Sequence, residues 1–123
     1  MEVWIQKHDY ASINLDCKNT KEIIAEFLNF SWEDELSSFA EDNELKNCPP
    51  GMGINANGNL LHLCPNDKEN LFLNYHHSST VKVLGLFPKE KKEIHSASNF
   101  PVSQAQELIK MHMEDKKSEI LEI

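Results

Sequence analysis

The dipeptide Asn57-Gly58 is flanked by Gly53-Ile54-Asn55 on one side and by the apolar-rich stretch 60–64 on the other. A two-residue connection between paired strands favours positive φ at both central positions, which Asn and Gly tolerate best. The pair therefore predicts a tight hairpin, and a hairpin commits this part of the chain to antiparallel pairing. The run Pro65-Asn66-Asp67-Lys68-Glu69-Asn70 predicts the next turn. Residues 71–77 then read as a strand, with Leu71, Leu73 and Tyr75 on one side and Phe72, Asn74 and His76 on the other. Ser78-Ser79 reads as a break. Residues 80–87 read as a further strand, Val81, Val83 and Gly85 opposite Lys82, Leu84 and Leu86. Residues 88–99, beginning Pro88-Lys89-Glu90-Lys91-Lys92-Glu93, read as a polar connector, and Gly51-Met52-Gly53 after Pro50 as a turn.

The flanks of this meander mix strands and helices. Val3 and Ile5 alternate with Trp4 and Gln6, and Ile13 and Leu15 with Asn14, so 2–15 reads as a strand broken near His8-Asp9 or a hairpin there. Asn19 and Glu22 have the spacing of a capping box, and Ile23, Ile24, Phe27 and Leu28 form one apolar stripe behind it. A second helical piece is expected from Ser31, with Trp32, Leu36, Phe39 and Ala40 as its apolar side, ending before Cys48-Pro49-Pro50. Ser103 and Gln106 suggest another capping box, leading a stripe of Val102, Ala105, Leu108, Ile109, His112 and Met113. Ile120, Leu121 and Ile123 suggest a final edge strand. For 123 residues this is one domain. The expected class is α/β in the α+β sense, a single antiparallel β-sheet of four to six strands with two or three helices packed mainly on one face.

Few chemistries fit these residues. There is no GxSxG, HExxH, Walker lysine motif or zinc-deaminase signature. The three cysteines, Cys17, Cys48 and Cys64, are odd in number, widely spaced and without a CxxC, so reduced thiols are expected rather than a disulfide framework. One soft-ligand grouping stands out, His62 and Cys64 with His76; it supports an alternative reading as a small metal-binding protein or enzyme. His62 and Cys64 share strand parity, while His76 and His77 point to opposite faces, so no zinc-like set of ligand pairs results. No catalytic residue, metal or cofactor is assigned. The start, Met1-Glu2-Val3-Trp4-Ile5-Gln6-Lys7, lacks the basic and apolar regions of a secretory signal, and no apolar run reaches the ~20 residues of a membrane span. A cytoplasmic location is expected.

Charge is more informative. The net charge is −8, and all twelve basic residues are Lys. An acidic chain without a guanidinium fork is poorly suited to phosphate backbones and better suited to a basic protein partner. Six carboxylates, Glu33, Asp34, Glu35, Glu41, Asp42 and Glu44, fall in a window with no Lys. They are the candidate docking surface, because clustered carboxylates speed and orient encounter with a positive partner. Such a run is often no more than a solvated helix face. Trp32 beside it is expected to belong to the core. A polar sheet face bearing Asn74, His76, Lys82 and His62 is a secondary surface.

The element order is a further guide. An opening strand Val3-Trp4-Ile5, a helix from Asn19-Thr20-Lys21-Glu22-Ile23-Ile24 and a hairpin with Gly51-Met52-Gly53 and Asn57-Gly58 are followed by Leu71-Phe72-Leu73-Asn74-Tyr75 and a helix begun by Phe100-Pro101-Val102-Ser103-Gln104-Ala105. Over nearly the whole chain this order resembles the small immunity proteins of bacterial polymorphic-toxin systems, including those of contact-dependent growth inhibition, and most of all the Imm1-type family. The resemblance implies a cytoplasmic, non-catalytic antidote. It would bind the C-terminal toxin domain of a cognate effector, often a nuclease or other nucleic-acid-directed toxin, and cover its active site.

Overall fold

Apolar alternation along the strands converges on one side of a single sheet. A computed structural model describes residues 1–41, 48–83, 85 and 87–123, omitting the side chains of 81–83. In chain order the elements are β1 (Glu2–Gln6), β2 (Ser12–Leu15), α1 (Thr20–Asn29), α2 (Trp32–Glu41), β3 (Gly51–Ala56), β4 (Asn59–Pro65), β5 (Asn70–Val83) and β6 (Phe87–Pro101). A 3-10 turn (Val102–Gln104), α3 (Ala105–Met113) and α4 (Lys117–Leu121) complete the chain. The sheet runs β2-β1-β3-β4-β5-β6, with every neighbouring pair antiparallel. The fold is α+β.

Register aligns the core residues in rows across the strands. Val3 lies opposite Ile54, Ile54 opposite Leu61, and Leu61 opposite Tyr75; Ile5, Met52, Leu63 and Leu73 form the adjoining row. These side chains are buried against Ile23 and Phe27 of α1, Ala105, Leu108 and Ile109 of α3, and Ile120 of α4. Each large side chain withdrawn from water in this way contributes about 1.5–3 kcal/mol. Asn57 and Gly58 both have positive φ, 58° and 76°, as the hairpin requires. The Asn57 amide also donates to the His112 carbonyl at 3.2 Å, tying the turn to the end of α3. At the start of α1, Asn19 Oδ1 accepts from the Glu22 N–H at 2.9 Å, and the Glu22 carboxylate accepts from the Lys18 N–H, one residue earlier than a capping box has it.

Several expectations are corrected. Gly51-Met52-Gly53 is strand, not turn. Its glycines make room on the outer sheet face. A Cβ on Gly53 would lie 2.3 Å from the Trp4 ring, and one on Gly51 would lie 2.8 Å from Cys64 Sγ. The break at Ser78-Ser79 does not exist, since β5 runs through it, and the connector at 88–99 is the long strand β6. β4 pairs with β5 only as far as His76, so beyond it β5 and β6 form a two-stranded ribbon. With few apolar positions to reveal alternation, Lys and Glu look like loop. The expected terminal strand is helix α4, which follows a left-handed residue, Asp115 at φ 58°, and buries Ile120. Ser103 lies in the 3-10 turn, and α3 starts at Ala105 without a side-chain cap. The expected end of the second helix falls at 42–47, outside the described residues.

His112 is buried and its Nε2 lies 2.8 Å from the Ile54 carbonyl, so it donates there and pins α3 to β3. Its ring also meets Tyr75 edge-on, while His77 stacks on the other side of the cluster, 5.4 Å from Tyr75. Burial first holds His112, His77 and His62 below the ordinary imidazole range; Lys117 adds to this for His77 and His76 for His62. For a histidine whose pKa is depressed by folding, the unfolded chain binds more protons as pH falls. The stability these sites contribute is present above the unfolded value of ~6.5 and is lost below it. Urea unfolding midpoints are expected to fall steadily from pH 7.5 towards pH 5, with a smaller fall in His112→Gln. A second expectation concerns the outer face. Gly53→Ala must displace the Trp4 indole, costing about 1–3 kcal/mol in denaturant titration and shifting tryptophan emission.

Candidate interaction surface

Helix α2 carries Glu33, Asp34, Glu35 and Glu41, the four described carboxylates of the acidic window, and meets the core through Trp32. Three carboxylates, Glu33, Asp34 and Glu35, occupy its first turn, where the positive end of the helix dipole favours them. None of its residues is buried. Two side chains of its first turn, Trp32 and Glu35, attach it. Trp32 Nε1 donates to the Phe27 carbonyl at 2.8 Å, and the indole packs 4.5 Å edge-on to Phe30 and 5.5 Å from Phe27. Trp32 thus lies against the core, as its size suggested.

Glu35 is the second attachment. Its Oε2 accepts the His8 backbone N–H at 3.0 Å and lies 2.6 Å from His8 Nδ1, while Oε1 is 3.8 Å from the Lys7 ammonium. Burial acts to raise this carboxyl, but the hydrogen bonds from His8, with the charges of His8 and Lys7, outweigh it and leave it below the ordinary range. Glu35 therefore staples α2 to the turn between β1 and β2. Glu33 pairs with Lys68 at 3.2 Å with both side chains mostly in solvent, an arrangement worth little. Asp34 and Glu41 are exposed. Asp42 and Glu44 lie outside the described residues. Beside the first turn of α2 is an open cleft of ≈ 420 Å³, lined by Phe30, Trp32, Leu36, Pro65 and Val102 together with Glu33, Asp34 and Lys68. Pro65 and Val102 join this surface from distant elements, and no sequence spacing points to them.

The second grouping, His62, Cys64 and His76, shares the outer sheet face. Cys64 Sγ lies 3.7 Å from His62 Nε2, while His76 is set on β5 opposite Leu60, one row away from His62. Burial, with a smaller contribution from Cys48, pushes the Cys64 thiol up to about 11. Metal ligation and nucleophilic attack need the thiolate, so this environment acts against both. Among the described residues no group of three or more His, Cys, Asp or Glu side chains is placed to hold a metal ion. Nearby, Ser96 donates to Asn74 Oδ1 at 2.5 Å, so part of this polar face is already paired across β5 and β6.

No protein-family model, curated protein or solved structure gives a significant match to this chain. Among the described residues no helix is long and apolar enough to cross a membrane.

The staple yields a direct expectation. Glu35→Ala should cost about 1.5–3 kcal/mol in chemical unfolding, since it leaves the partly buried His8 donors unmatched. A carboxyl depressed by folding contributes stability above its unfolded pKa and loses it as pH falls through the folded value. The difference between wild type and E35A should therefore narrow in acid.

Proposed function

We propose that this protein is a cytoplasmic, non-catalytic immunity protein that neutralises the C-terminal toxin domain of a cognate bacterial effector by covering its active site. The observation that carries this reading is the mounting of α2. The helix is fixed by Trp32 and Glu35, yet buries none of its residues and presents Glu33, Asp34 and Glu41 to solvent. A helix held this way offers carboxylates in a preset arrangement, so little ordering entropy is lost on contact with a basic surface. Nucleic-acid-directed toxins carry such a surface where they hold phosphates. The cleft between Trp32, Leu36 and Val102 adds an apolar recess beside the charges, the combination from which interface hot spots are built. The chain's net charge of −8 supports the same sign of partner.

This reading expects a large toxin gene directly upstream, and the test uses the C-terminal domain that gene encodes. Glu33→Lys, Asp34→Lys and Glu41→Lys should each weaken the complex by roughly threefold to tenfold, mainly by slowing association, and together should flatten its dependence on salt. Circular dichroism should stay unchanged, because these side chains are exposed. Unchanged affinity across the series would remove α2 from the interface. Failure of the protein to bind or protect against any neighbouring toxin domain would overturn the function itself.

A further inference from the structure

The β5–β6 ribbon ends the sheet on an open strand. Beyond His76 the inner side of β6 is paired with β5, while among the described residues its outer side has no strand beside it. Such an edge is a template for another strand, and natural proteins commonly protect it with lysines that repel a second copy. Here the protection is incomplete. The exposed stretch reads Lys89-Glu90-Lys91-Lys92-Glu93; across the ribbon Lys89, Glu90, Lys91 and Lys92 face Val81, Thr80, Ser79 and Ser78 rather than opposite charges, while Glu93 faces His77, with Nε2 3.9 Å from its carboxylate. Lys91 and Glu93 meet at 3.0 Å along the same strand; no ion pair involves Glu90 or Lys92 among the described residues.

We infer that two copies of this chain associate edge to edge through β6, antiparallel and centred on Lys91. In that register Lys89 lies opposite Glu93 of the second copy and Glu90 opposite its Lys92, and the two-fold axis repeats both pairs. Only Lys91 meets its own kind, at the axis. The next registers that keep the outward N–H and C=O groups paired are two residues away: one sets Lys89 opposite Lys91 and Glu90 opposite itself, the other keeps only the Lys91–Glu93 pairs, so the register centred on Lys91 makes the most opposite-charge pairs. Both faces are served, because odd and even positions of a strand point to opposite sides. The same register sets Ile94, 62% exposed, opposite Pro88, and Phe87, 64% exposed, opposite His95. These are the large apolar side chains that β6 otherwise leaves in water. Pro88 has no N–H, which limits the ladder to a short central run. An isologous pairing of this kind closes after two copies and does not propagate.

The test is sedimentation equilibrium of the full chain without toxin, at low salt and up to about 1 mM, since an interface this small lies at the weak end of the range. A monomer–dimer equilibrium weakened by added salt is expected. Glu90→Lys alone and Lys92→Glu alone each turn two attractive pairs into repulsive ones and should weaken dimerisation roughly tenfold. The double variant exchanges the charges, restores opposite pairing and should recover the wild-type equilibrium. Lys89→Glu and Glu93→Lys repeat the design on the other face. A chain that stays monomeric throughout leaves this edge to some other partner and overturns the inference, as does a dimer indifferent to the single reversals or one that the double variant fails to restore. Because no toxin is present, the result is independent of the proposed function.

Discussion

The contact between the inner face of β3, β4 and β5 and the helices α1 and α3 is the interaction on which everything else rests. The rows through Ile54 and Met52 are buried because Phe27, Leu108 and Ile109 close over them. Tyr75 sits at the corner of this layer, where the sheet, α3 and the root of the ribbon meet. It has His112 at its edge and His77 against its face, so the polar groups of that corner are arranged around an apolar ring. Outside this layer, α2 is attached through Trp32 and Glu35, and the far part of the ribbon, positions 87 to 93, is left in water.

That division explains what could be read from the residues. Elements that bury a stripe or alternate about a buried face declared themselves: the hairpin at Asn57-Gly58, the α1 stripe at Ile23 and Phe27, and the parity of Leu71, Leu73 and Tyr75. Elements stabilised otherwise did not. β6 is a strand because β5 supplies its hydrogen bonds, and a strand exposed over most of its length needs no apolar period. Ile120, Leu121 and Ile123 suggest a strand by composition, yet after a left-handed residue at Asp115 the chain closes as helix α4, which holds Ile120 and Leu121 and ends before Ile123. Gly51 and Gly53 looked like punctuation, whereas they are recesses for His62, Cys64 and Trp4. Such a role depends on a neighbour in another strand and leaves no local trace.

The candidate surface was legible in the same partial sense. Charge counting located the carboxylates near Trp32, but not their separate duties. Glu35 faces His8 and is part of the scaffold, while Glu33, Asp34 and Glu41 face water. Periodicity could not make that distinction, because Glu35 is committed by a loop some twenty-seven residues away. The cleft beside α2 depends on Pro65 and Val102, which approach only after the sheet has formed.

The ribbon has one further consequence. Its charged positions, 89 to 92, are exposed and lie outside the packed layer. Substitutions there need not be accommodated by any repacking, so this arm is free to drift at a pace set by its contacts with other molecules. Descendants of one ancestor would then keep the same buried framework while ceasing to recognise one another, and lineages would separate at the rim long before they separated at the heart.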